Sequence, residues 1–170
     1  HRSHSLDKEG LTILASIYAH HKYRTPEAME LYEQAFQQGI EIFEVVEMLC
    51  EIYINERRTD KTAIEIYSIY IDQHPDNTLI NEFLCEQLFH YEMYKEVIKY
   101  SKNYLSYKPD NQKIRKILAF AEMKLNEVDD AITHYQSFLQ EHPEDQDSIR
   151  FLAEAYAIKE KFDEESVRLY

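Results

Sequence analysis

Eight histidines, two cysteines and a surplus of carboxylates are the reactive side chains of this chain, and their spacing gives them little chemistry to perform. A metal site needs ligands that converge, such as His-x-x-x-His on one helix with an acid nearby. The nearest approach is His1-x-x-His4, in the first residues. His74 and His142 each precede a proline, where a turn or capping role suffices, and His20-His21 falls at a bend between two helical stretches. No glycine-rich phosphate loop is present, and no nucleophile stands beside a base and an orienting acid. Glutamates and aspartates on solvated helices are ordinary surface groups. The expectation is that the chain has no catalytic residues, needs no cofactor, binds no metal and is not an enzyme.

Composition narrows the partners. Nineteen Lys and Arg against 32 Asp and Glu leave a formal charge of −13, which repels phosphate backbones and anionic membranes alike. The longest apolar-looking run, IEIYSIYI, contains Glu65 and is far too short to span a bilayer. Cys50 and Cys85 are too few for a disulfide framework, and no Asn-x-Ser/Thr acceptor occurs. A reducing, cytoplasmic setting is expected. With two glycines and four prolines there are few residues for β-hairpin turns, so an all-α fold is expected. The chain opens without methionine and closes on EESVRLY, which suggests a piece of something longer.

The elements that position these side chains announce themselves by repetition. HPDNT at 74–78, KPDNQ at 108–112 and HPEDQ at 142–146 place Pro75, Pro109 and Pro143 34 residues apart both times, the mark of a stacked unit. Within 112–145, Ile114, Ile117, Leu118 and Ala121 fall at helical spacing. A break follows, and Ala131, Ile132, Tyr135, Phe138 and Leu139 form a second apolar stripe. Each unit therefore reads as an antiparallel helix pair. A flexible segment, 1–7, precedes repeats 8–42, 43–77, 78–111 and 112–145, and a truncated repeat occupies 146–170. Small residues recur in first helices (Ala15, Cys50, Cys85, Ala119, Ala153) and in second helices (Ala28, Ala63, Val97, Ala131, Ser166), where they let paired axes approach. Tyr18, Tyr53 and Tyr156, then Tyr32, Tyr67, Tyr135 and Tyr170, recur beside them and read as core. Thr25-Pro26 is a cap followed by a first-turn proline.

LASIY, LCEIY and LAEAY in first helices, with AMELYEQAF, AIEIYSIYI and AITHYQSFL in second helices, resemble the tetratricopeptide repeat (TPR) family from about Leu11 to Tyr170. The chain departs from the family pattern at Ile40, where the first unit lacks its proline, and at Val97 and Ser101. The resemblance implies a right-handed α-solenoid whose first helices line a concave groove used to bind peptides or proteins. In that frame the groove presents Glu44, Glu47, Glu51, Glu82, Glu86 and His90, then Lys113, Lys116, Phe120, Lys124 and Arg150. Overall charge is banded likewise: 41–92 holds 12 acids and 3 bases, 93–124 holds 3 acids and 8 bases, and 125–170 holds 12 acids and 4 bases. The Lys and Asn set with which some family members hold acidic chaperone tails is missing. The expected function is a non-catalytic interaction scaffold for a protein or peptide partner, a basic segment being favoured by the glutamates; neither nucleic acid nor membrane is an expected partner. Self-assembly as a homo-oligomer through repeat ends, and service as the substrate-recruiting arm of a larger enzyme, are the alternatives.

Overall fold

The computed structural model describes residues 7–40 and 42–159, and the described residues form helices and turns without strands. The second helix expected for the last repeat, with Ser166 and Tyr170, lies outside them, as does most of the leading segment. Two compact units divide at His74 and Pro75. The first holds α1 (Lys8–His20), α2 (Pro26–Gln37), α3 (Phe43–Asn55) and α4 (Lys61–Gln73). The second holds α5 (Thr78–His90), α6 (Tyr94–Tyr107), α7 (Gln112–Lys124), α8 (Val128–Glu141) and α9 (Gln146–Ile158).

The repeated phrase around the prolines is a helix-start signal. Two residues after Pro75, Pro109 and Pro143 stand Asn77, Asn111 and Asp145, the caps of α5, α7 and α9. Their side chains accept the N–H of Ile80 at 3.3 Å, Ile114 at 3.1 Å and Ser148 at 2.8 Å, each meeting a donor that the first helical turn leaves unpaired. Thr25 caps α2 with Pro26 behind it, as the dipeptide suggested, and Asp7 and Asp60 cap α1 and α4.

Turns inside the pairs repeat too. Lys22, Arg57, Glu92 and Asn126 all have positive φ, between 53° and 63°. The residue after each donates back across the turn, from Tyr23 to Tyr18, Arg58 to Tyr53, Met93 to Leu88 and Glu127 to Glu122. This is the left-handed helix stop usually given to glycine. Gly39, φ 65°, makes the same stop after α2, where Ile40 stands in place of the proline.

Packing follows the small-residue columns. Ala15, Cys50, Cys85 and Ala119 in first helices, and Ala28, Ala63, Val97 and Ala131 in second helices, are fully buried. Tyr32, Tyr53, Tyr67 and Tyr135 are the bulkiest of the fully buried side chains, each removing enough apolar surface to contribute about 2 kcal/mol. Within unit one α1 packs on α2 and α3, and α3 on α4; within unit two first helices α5, α7 and α9 neighbour one another as well as their partners. The fold is thus an all-α helical repeat. Its local repetition leaves one face of each first helix unpacked.

Candidate functional site

Positions 44, 47 and 51 fall on one face of α3 because three- and four-residue steps return to the same side of a helix. Glu44 is exposed in the first turn. Glu47 lies 3.5 Å from the ring of His74, which ends α4, and Glu51 is paired at 2.5 Å with Arg24. This face of unit one is acidic, and two of its three carboxylates already hold a base of the same unit.

Unit two brings several expected residues together. Glu86 of α5 accepts from Lys113 of α7 at 2.5 Å. Lys116 donates to both carboxylate oxygens of Asp145, at 2.8 and 2.9 Å. The Lys116 ion pair is the main reason that the Asp145 carboxyl is held down to about 2. Glu86, Lys113, Lys116 and Phe120 line one pocket of about 440 Å³, together with Phe89, Ile117, Tyr135 and Phe151. Lys124 stands over the Phe120 ring at 5.0 Å and Arg150 over Phe151 at 4.9 Å. Glu82 is outside the pocket lining and accepts from the Tyr104 hydroxyl at 2.8 Å; His90 is exposed, edge-on to Tyr91.

The pocket floor is aromatic. Phe120 meets Phe89 at 5.4 Å and Phe151 at 5.1 Å, both edge-to-face, and Tyr135 stacks on Phe151 at 5.9 Å. Of these only Phe120 is among the groove residues that the family resemblance implies. A signal was present: Phe89, Phe120 and Phe151 are spaced by 31 residues, one repeat less one helical turn. The stripe therefore runs diagonally across three neighbouring first helices.

A second polar cluster was also missed. Glu122 occupies the position in α7 that Tyr53 and Tyr156 fill in α3 and α9, and it is fully buried. Lys102 of α6 lies 3.2 Å from it, and His134 Nδ1 of α8 lies 2.7 Å away. Glu122, Glu127 and Asp130 are close enough to share a cation, but the Lys102 ammonium already sits 3.2, 3.9 and 3.4 Å from the three. Burial acts to lower the Lys102 pKa, yet bonding to Glu122 and Asp130 outweighs it and holds the ammonium above its ordinary range. The cluster is an internal ion network around a protein cation. Cys50 and Cys85 offer no nucleophile, since burial pushes both thiols up to about 12.

Comparison with known proteins agrees with this architecture. The tetratricopeptide repeat family model matches residues 117–145. No match is found among curated proteins. Among solved structures, a mutant form of MamA is 18% identical, with 96% of this chain and 97% of that chain covered and a TM-score of 0.60. A crystal form of MamA AMB-1 is 19% identical, covering 95% and 87% with a TM-score of 0.63. YrrB, described as a TPR protein with an unusual peptide-binding site, is 14% identical, covering 96% and 82% with a TM-score of 0.60. At these identities the likeness is one of fold. The tetratricopeptide repeat family model thus matches one repeat, and the chain shares the helix-pair fold of these structures along nearly its whole length.

Proposed function

We propose that this protein is a non-catalytic scaffold that holds a peptide segment or partner protein against the unpacked faces of its first helices. One observation carries the reading: in unit two those faces converge on an aromatic pocket rimmed by charged side chains, while the two thiols are buried with raised pKa values. The peptide-binding site named for YrrB supports the same kind of activity on the same fold. On α3 the exposed and half-exposed carboxylates of Glu44, Glu47 and Glu51 favour a basic stretch of the ligand. Among the described residues no helix is long and apolar enough to cross a membrane. A cytoplasmic setting fits two free, buried thiols.

Affinity capture from native lysate tests the scaffold reading. The intact chain is compared at low and high salt with a Glu44→Lys/Glu47→Lys/Glu51→Lys variant that keeps its helical circular dichroism. The expected result is a captured protein released by salt and reduced at least about tenfold by charge reversal. Capture unaffected by both places the contact off the α3 face. Recovery of no partner at either salt overturns the scaffold reading.

A further inference from the structure

Within that scaffold reading, we propose that the unit-two pocket takes a partner segment with one large apolar side chain flanked by carboxylates, an acceptor of which is bonded by the Tyr135 hydroxyl. Tyr32 and Tyr67, at the same place in their repeats, donate to the carbonyls of Tyr23 and Arg58, nine residues earlier, both at 3.0 Å. Tyr135 is equally buried and lines the pocket, but its hydroxyl meets no hydrogen-bond partner among the described residues. A buried hydroxyl left in this condition favours any ligand that brings it an acceptor.

The remainder of the pocket specifies what surrounds that acceptor. Its walls are the rings of Phe89, Phe120 and Phe151 with Ile117, and its volume of about 440 Å³ exceeds that of one aromatic side chain. Lys124 and Arg150 lie over two of those rings. Acids of the same helices and turn are largely engaged: Glu86 holds Lys113, Asp145 holds Lys116 and caps α9, and Asp147 lies 3.3 Å from Arg150, while Glu154 stands exposed on α9. Each ammonium and guanidinium retains donors beyond those bonds. An incoming carboxylate therefore finds unspent donors beside a low-dielectric floor, and an incoming ammonium finds every neighbouring carboxylate but Glu154 already taken.

Fluorescence anisotropy on the whole chain tests this with a panel of labelled Gly/Ser-background peptides. Each carries one central Phe, Leu or Trp flanked by Asp, Lys or Ser. Aspartate-flanked peptides are expected to bind at least about tenfold tighter than lysine-flanked ones. Tyr135→Phe is expected to weaken them by about fivefold without lowering Tm, because the hydroxyl has no partner to lose. Lys113→Glu with Lys124→Glu is expected to reverse the flank preference, and Phe120→Ala to abolish binding. Tighter binding of lysine-flanked peptides, indifference to the flanks, no effect of Tyr135→Phe, or no binding by any peptide overturns the assignment. If lysine-flanked peptides bind and amide shifts are confined to α3, the pocket assignment falls while the scaffold reading stands. If the panel behaves as expected but lysate capture is unaffected by charge reversal on α3, the pocket stands and the α3 contact falls.

Discussion

Two tyrosines at one repeat position have opposite fates, and the difference is measurable. Tyr32 closes its turn by donating to the Tyr23 carbonyl, whereas the Tyr135 hydroxyl is buried without a bond among the described residues. Tyr32→Phe should cost about 1 kcal/mol, and Tyr135→Phe should be neutral or slightly stabilising; paired thermal melts check both. Burial raises the pKa of both phenols. Glu122 makes the complementary case. Lys102→Ala strips a fully buried carboxylate of its ammonium and should cost about 2 kcal/mol, discounted because Lys102 is nearly half exposed. Glu122→Leu, which removes the charge itself, should fall within about 1 kcal/mol of the parent. Urea unfolding of the two variants separates them, and equal losses would mean that the network is not held by charge pairing.

At the scale of the element, the recurring start signal concentrates two functions in one side chain. Asp145 caps α9 and holds Lys116 of α7, so the cap of one first helix also ties it to its neighbour. Its pKa is depressed in the folded state, to about 2, against an unfolded value near 3.9. The stabilisation is therefore present above about pH 4 and is lost as pH falls through the folded value. Unfolding followed by circular dichroism should show stability declining from about pH 4 toward 2. Asp145→Asn keeps a capping oxygen but loses the charge, so it should lower Tm at neutral pH and flatten that acid slope. An unchanged slope would remove Asp145 from the acid response.

The whole molecule carries a formal charge of −13, and like charges repel across a compact surface more than across an unfolded chain. Raising sodium chloride from about 50 to 300 mM shortens the Debye length from roughly 14 to 6 Å. Tm should rise by a few degrees, despite screening of exposed pairs such as Arg24–Glu51. A fall in Tm would show that the ion pairs outweigh the net repulsion.

How far these features could be read in advance depends on whether they are periodic. Prolines spaced by 34, the small columns through Cys50 and Cys85, and the Thr25-Pro26 start are local and repeat; helix geometry turns such spacing directly into faces, so the helix pairs and their buried side were legible. The repeat frame implied by the family resemblance put Lys113, Lys116 and Phe120 on one side of α7, and all three line the unit-two pocket. The pairing of Lys113 with Glu86 and of Lys116 with Asp145 joins residues 27 and 29 apart, and the Phe89–Phe120–Phe151 diagonal runs at 31 rather than 34. Those depend on how neighbouring first helices cross, which no single helix encodes. The ion network at Glu122 and the unsatisfied hydroxyl of Tyr135 depend further on which side chains surround them in three dimensions. Repetition in the sequence thus determined the repeat and its exposed faces, and tertiary packing alone decided which of those faces became a pocket.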